Sequence, residues 1–380
     1  MIPYHSTMKN FVIYTTVANS FFYNLARALN HLGHTVYLLN PPLHVVKMFK
    51  NECEAKYIGS ESLPLFFQEQ AIDSLLLWNG SNNLFFTQCA RACNVKTWFF
   101  ENGYLSNTLQ MNRLGVNASV AYNTNDVEEL YSFAFPESDL NLSNFEIKHL
   151  DKLTLKNYLL SKLKQSKQQN TLVDFYHVFQ DKLRKLLRSL VFKYGYSEPI
   201  SNLMSKPYIL FPLQVNDDTQ IVQNSPHKDM YQILDTLAPL MVASSYHLVI
   251  KEHPEELTFT RYKKYLKYKN VHLTKQADLN SLIENAACIV TVNSSVGLQA
   301  IQKNKKVITL GDSFYNSAPG TYQCNLFSGN FLTTLEHALD QKVLPEDQSN
   351  YIQYFRDKIF IQGNWRQPDK ALIEGCVNRL

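Results

Sequence analysis

The chain lacks several things that would have placed it at once. No apolar run approaches the ~20 consecutive residues needed to span a bilayer. No targeting segment stands out, because Met1–Asn10 is polar and the apolar stretch Phe11–Thr15 is too short for a signal core. There is no G-x-G-x-x-G and no Walker A sequence, which removes support for NAD- and ATP-binding folds. The six cysteines, Cys53, Cys89, Cys93, Cys288, Cys324 and Cys376, form no metal pattern, since no second Cys/His pair stands at zinc spacing beside Cys89 and Cys93. Buried thiols in a reduced, cytoplasmic compartment are expected, with no metal. Internal repeats and low-complexity tracts are missing too.

What is present is a chain of 380 residues, long enough for two domains. Its composition, 45% hydrophobic and 18% charged, is that of an ordinary globular protein. The net charge of +4 hides an asymmetry. Lys148–Lys193 holds eleven Lys/Arg against three Asp/Glu, and the remainder holds 26 against 30. The basic character therefore belongs to one segment. No nucleic-acid partner is expected.

The apolar, β-rich run Phe11–Thr15 predicts a strand. Phe21, Leu25, Leu29 and Leu32 follow at helical spacing, Gly33 suits the helix end, and Thr35–Leu39 is the next strand. This β-α-β unit opens a doubly wound domain. Ser74–Trp78 and Lys96–Phe100 read as further parallel strands. Residues 151–194 are helical in pattern, with Leu183, Leu186, Leu187 and Leu190 on one face and Lys and Arg on the others. Ser197–Lys206 predicts an interdomain linker. A second β-α-β series starts at Tyr208, with strands at 208–213, 247–251, 271, 288–292 and 306–310. Helices are expected at 230–243, 259–268, 280–285, 295–302, 332–339 and 349–360.

Three of these strands end in polar side chains, and ligands of open α/β sheets sit outside the carboxyl ends of the strands. The first runs into Gln214-Val-Asn-Asp-Asp218. The second ends at Lys251-Glu-His-Pro254, and the third at Asn293-Ser-Ser295 just before a helix. Ser294 and Ser295 at a helix start suit phosphate oxygens, and Gly297 would allow close approach of a ligand; a plain Ser cap is the bland alternative. His253, held extended by Pro254, is a candidate phosphate donor or general acid. Asp217 and Asp218 point to opposite faces of an extended strand, so one of them is the candidate nucleophile or base. They make a weak metal site and are not the Asp-x-Asp of a metal-dependent transferase. Glu101 ends a strand of the first half and is a candidate for acid/base work, or a structural cap.

Together these segments resemble the capsule polysaccharide biosynthesis family of the KpsS/LipB type, bacterial β-Kdo transferases (Kdo is 3-deoxy-D-manno-octulosonic acid). The matching stretches run in order along most of the chain. They include Gly33-His34-Thr35-Val36, Phe100-Glu101-Asn102-Gly103-Tyr104-Leu105, Gln214-Val215 with Asp218-Thr219-Gln220-Ile221, Lys251 with His253-Pro254, Val292–Ala300, Tyr315 with Pro319–Gln323, and Gln362-Gly363-Asn364. The resemblance implies an α/β, GT-B-like fold of two Rossmann-like domains facing across a cleft. It implies CMP-β-Kdo as donor substrate, no cofactor, and retention of configuration. It assigns Asp218 as nucleophile, Glu101 as general acid/base, and His253, Ser294 and Ser295 as phosphate holders. Gln214, Lys251, Asn293 and Gly297 complete the donor site. The family usually follows Glu-x-Gly-Tyr-Leu with Arg-Pro, whereas Ser106-Asn107 stand here, so one cation is missing and the acceptor is less defined than the donor.

The expected domains are residues 1–195, including the basic segment 148–193; 196–345 as the CMP-sugar domain; and 346–380 packing back toward the first. The resemblance implies a lipid acceptor, lyso-phosphatidylglycerol, or a glycan. A peripheral place on the anionic inner-membrane surface would suit the basic segment, which could instead be a helical pair packed between domains. A second capsule Kdo transferase is a further expected partner. The alternatives are an inverting CMP-sialic acid sialyltransferase, a CDP-glycerol-type phosphotransferase, and a non-catalytic scaffold of capsule assembly or export.

Overall fold

A computed structural model describes residues 8–15, 20–41, 45–46, 49, 52–78, 84–113, 115, 142, 144–148, 183, 186–187, 190, 193, 196–215, 219–255 and 262–380. The chain forms two compact units, residues 1–150 with 350–380 and residues 151–349.

The first unit is built on a seven-stranded sheet. Its strands are β1 (Asn10–Tyr14), β2 (Thr35–Leu39), β3 (Glu54–Lys56), β4 (Ser74–Trp78), β5 (Lys96–Asn102), β6 (Thr108–Asn112) and, from the far end of the chain, β13 (Phe360–Gln362). The order is β13-β6-β5-β4-β1-β2-β3. The strands from β1 to β5 run parallel, while β6 folds back on β5 and β13 runs antiparallel to β6. The helix Ser20–His31 buries Phe21, Phe22, Leu25, Ala28 and Leu29 against this sheet. It stops where Gly33 takes φ +86°. Gly33 N–H donates to Asn30 O and His34 N–H to Leu29 O, the doubly bonded ending that glycine makes possible. The helix Lys370–Val377 adds Leu372, Ile373 and Cys376 to the same core.

The second unit carries six strands: β7 (Tyr208–Pro212), β8 (His247–Lys251), β9 (Val271–Thr274), β10 (Cys288–Thr291), β11 (Val307–Thr309) and β12 (Thr321–Gln323). All are parallel, in the order β12-β11-β10-β7-β8-β9. Counting β7 as the first, this is the doubly wound order 3-2-1-4-5-6, with its switch point between β7 and β10. β7 and β10 are buried along their whole length, as strands covered on both faces must be. Asp229, Asp278 and Ser294 cap the helices Met230–Leu240, Leu279–Asn285 and Ser295–Gln302 with their side chains.

Four expectations need correction. The helix expected at 349–360 is α-helical only over Pro345–Tyr354, continues as a π turn at Phe355–Ile359, and gives way to β13 at Phe360. Apolar periodicity continued past the point where β6 offered an open edge to pair. The helix expected at 259–268 is, in its described part, the 3-10 turn Lys263–Lys267. The strand β6 was missed, because its run Thr-Leu-Gln-Met-Asn carries weak β propensity and is defined by its partner β5.

The fourth correction concerns Ser197–Lys206, which is no loose linker. Glu198 N–H donates to Leu273 O, Ser197 Oγ lies 2.7 Å from Thr274 Oγ1, and Gln276 Nε2 reaches Lys193 O at 3.0 Å. This stretch staples to the open edge of β9 and then enters the short helix Ile200–Leu203. The basic segment falls almost wholly outside the described residues. No helix among the described residues is long and apolar enough to cross a membrane.

Candidate active site

The carboxyl ends of β7 and β10 meet at the switch point of the second unit. Gln214 and Asn293, both buried, bind each other across it. Gln214 Nε2 donates to Asn293 Oδ1 at 3.1 Å, and Asn293 N–H donates to Gln214 Oε1 at 3.3 Å. Each carboxamide fixes the other's orientation, so the floor of the crevice is rigid.

Ser294 follows at once, extended (φ −68°, ψ 152°), and caps the helix Ser295–Gln302 by accepting from Val296 N–H. Gly297 N–H takes the Ser294 carbonyl. The Ser295 amide has no partner among the described residues and stands at the positive end of the helix, where an anion is favoured. The buried Tyr315 hydroxyl donates to the same Ser294 carbonyl at 2.5 Å. A Cβ on Gly297 would lie 2.7 Å from ring carbon Cε2 of Tyr315. The tyrosine ring therefore fills the space that the sequence suggested was open to a ligand, and the glycine is needed to admit that ring.

β8 delivers Lys251, Glu252 and His253. Lys251 is 9% exposed, and its Nζ donates to the carbonyls of Lys275 at 2.8 Å and Glu252 at 3.3 Å. Burial, aided by the neighbouring Lys275 charge, pulls its pKa down to about 8. Lys275, fully buried, pairs with Glu252 at 3.4 Å. Motif reasoning did not find Lys275, because it follows a short strand with no family signature; its burial is what marks it. His253 is half-buried and accepts from Glu255 N–H at Nδ1, so in the neutral ring the proton sits on Nε2. Asp217 and Asp218 lie outside the described residues.

Glu101 belongs to the first unit. It is half-buried near the end of β5, opposite Gln110, and its Oε1 accepts from Asn102 N–H at 2.9 Å. The motif Glu101–Leu105 forms the corner of the β5–β6 hairpin. Gly103 sits there because a Cβ would come within 2.6 Å of Thr108 Cβ. Asn107 holds φ +55° and its carbonyl accepts from Gly363 N–H at 2.7 Å. Proline, locked near φ −65°, cannot adopt that conformation, so the replacement of the usual Arg-Pro by Ser-Asn changes the turn itself.

Two doubly wound α/β units, the second with a hydroxyl-bearing helix start at its switch point, give the chain a GT-B-like fold. The chain belongs to the family described as "Capsule polysaccharide biosynthesis protein", whose profile matches residues 79–365. It is 31% identical over 186 residues to Protein FixF of Sinorhizobium fredii, covering 45% of this chain and 42% of that protein. It is 27% identical over 139 residues to the capsule polysaccharide export protein KpsS of Escherichia coli, covering 33% and 36%. The matched stretches thus span less than half of either relative. Among solved structures it is similar to KpsC of Thermosulfurimonas dismutans, a β-Kdo 2,7 transferase, at 16% identity and TM-score 0.42 over 83% of each chain.

Proposed function

We propose that this protein is a metal-independent, retaining β-Kdo glycosyltransferase of capsule polysaccharide biosynthesis. It moves Kdo from CMP-β-Kdo to a lipid or glycan acceptor. The observation that carries the donor half is the helix start Ser294–Ser295 beside the Gln214–Asn293 pair. It offers amide and hydroxyl donors to a phosphate at the switch point. Asp218 attacks the anomeric carbon as the bond to the CMP oxygen breaks, and CMP leaves with the electron pair. His253 Nε2–H donates to that phosphate. The acceptor oxygen then displaces the Asp218 carboxylate, and its proton passes to Glu101. Two inversions give net retention. Lys251 acts through its charge, since its ammonium already binds two carbonyls.

The test is release of CMP from CMP-Kdo generated in situ, with and without lyso-phosphatidylglycerol. Acceptor-dependent release and a lipid-linked β-Kdo product are expected. No release with any acceptor would leave the scaffold alternative standing, and turnover of CMP-sialic acid in its place would favour the sialyltransferase.

The acceptor side is a membrane surface. Leu183, Leu186, Leu187 and Leu190 are 37–58% exposed at helical spacing, within a segment whose charge is strongly positive. Apolar residues on one face with Lys and Arg around them suit an interface of anionic lipid. Replacing Lys182, Arg184, Lys185 and Arg188 with Gln is expected to weaken binding to phosphatidylglycerol vesicles. The wild-type interaction should itself weaken with added salt. Unchanged sedimentation with vesicles would remove the membrane role.

A further inference from the structure

Lys275 carries a charge that the proposed transfer does not use. It follows β9 and is 0% exposed. An ammonium so placed is strongly disfavoured unless it is paired. Its Nζ lies 3.4 Å from Oε2 of Glu252, which is itself buried just past the end of β8. The backbone around both groups is fixed. Glu252 N–H donates to Thr274 O at 2.9 Å, and Lys275 N–H donates to Ser197 Oγ at 3.3 Å. Lys275 O accepts from Lys251 Nζ, so the residue holds Lys251 by its carbonyl and Glu252 by its side chain.

Two ammonium groups and one carboxylate therefore share one strand end, and they sum to a single positive charge. Lys251 feels all of its neighbours. Burial does most to loosen its proton, and the Lys275 charge loosens it further. Glu252 opposes them, and Asp278, which caps the next helix from an exposed position, opposes them less. The Lys251 carbonyl accepts from Leu213 N–H at 2.9 Å, so the cluster stands one strand from Gln214. Buried charges are poorly screened and act on a neighbouring phosphate over several ångströms. An unpaired carboxylate at this strand end would offset the Lys251 ammonium and repel that phosphate. Glu252 therefore needs a cation of its own.

We propose that Lys275 is a positioning residue of the donor site: it neutralises Glu252, so that the Lys251 charge is left to the phosphate of the nucleotide. This deepens the transferase assignment and rests on it. Lys275 itself touches no substrate. It acts on Glu252 by charge and on Lys251 through its carbonyl, and it keeps the end of β8 positive.

CMP binding to the full chain, measured by calorimetry across neutral and alkaline pH, tests it. Lys275→Met should weaken CMP binding about tenfold at neutral pH, because one positive charge is lost near the phosphate. The alkaline fall in affinity, which Lys251 sets at about 8 in the wild type, should move upward, since the like charge is gone and Glu252 remains. The double variant Lys275→Met with Glu252→Gln removes one charge of each sign and should bind CMP like the wild type. Lys264→Gln, at an exposed lysine elsewhere in the unit, should change nothing. Wild-type affinity in Lys275→Met overturns the proposal. So does a double variant as weak as the single one, because Lys275 would then serve packing and not charge. Should Lys275→Met fail to fold, the double variant decides alone: wild-type affinity supports the role and a tenfold loss overturns it. The Lys251 ammonium can also be followed without ligand, by NMR of isotope-labelled lysine. Its titration should move upward in Lys275→Met and return in the double variant, and no movement overturns the proposal. That movement in a chain that binds no CMP would instead remove the donor assignment and leave Lys275 setting the charge of Lys251.

Discussion

The two sheets begin with the same strand order and then diverge. In the second unit all six strands are parallel, and polar or charged side chains are buried at their carboxyl ends: Gln214, Lys251, Glu252, Thr274, Lys275 and Asn293. In the first unit the fifth strand turns back as a hairpin, the C-terminal strand joins it, and the corresponding rim is aromatic. Buried polar groups need partners and cost stability without them. Under the proposed transferase reading, the rim rich in buried polar groups would take the donor's phosphate, and the hairpin rim of the first unit would serve the acceptor.

The largest effect expected from testing this division falls on the chemistry. Asp218→Asn should lower transfer by a factor on the order of 10⁴, and Glu101→Gln by about 10². Both should keep wild-type melting temperatures. Near-normal turnover in either variant removes that carboxylate from the mechanism. If Glu101→Gln were as damaging as Asp218→Asn, the contrast between the proposed donor and acceptor rims would blur.

Next comes packing at the donor rim. Gly297→Ala drives a methyl group into the Tyr315 ring and should cost about 1–3 kcal/mol in urea unfolding. In a Tyr315→Ala background the same change should cost much less. Additive losses in the double variant would show that the glycine is not there for the ring.

The pH dependence of stability gives a third test. Folding lowers the Lys251 pKa, so the unfolded chain binds that proton more tightly. The residue therefore subtracts stability below about 8 and ceases to do so as the pH climbs toward its ordinary value of 10.5. The change is on the order of 1–3 kcal/mol. Lys251→Met should abolish this slope, and an unchanged pH profile would mean that the ammonium is better solvated than its 9% exposure implies.

The smallest expected effect is at the edge of the second sheet. Glu198 accepts from His272 Nδ1 at 2.8 Å and also caps Leu273 N–H at 3.4 Å. Glu198→Gln should cost about 1 kcal/mol and speed amide exchange at Leu273, without touching CMP binding. Protection equal to wild type would show that the staple is carried by Ser197 and the backbone alone.

Much of the fold is legible in the order of residues alone. The buried strands, the helix Ser20–His31 with its glycine stop, and the Ser294 cap are local: apolar spacing and one capping residue decide them. The family's motifs also lie on strand ends, so Gln214, Lys251, His253, Asn293 and Ser294 stand out in the sequence. β6 and β13 do not, because each becomes a strand only by pairing with its neighbour. Nor do Lys275 or the Trp78–Trp365–Arg366 stack, whose members are brought together by the fold, while Tyr315 is part of a matched motif but shows its role against Gly297 only in the structure.

By itself, then, the sequence determined two doubly wound halves, their caps, and the residue types at the strand ends, because these depend on interactions within a few residues. Only the tertiary structure decided that Gly297 makes room for Tyr315, that Lys251 is held by carbonyls, that residues 197–198 bind the edge of β9, and that Trp365 bonds Asn102 at the end of β5. Contacts between segments hundreds of residues apart are set by sheet order and close packing, and neither leaves a periodic trace in the chain.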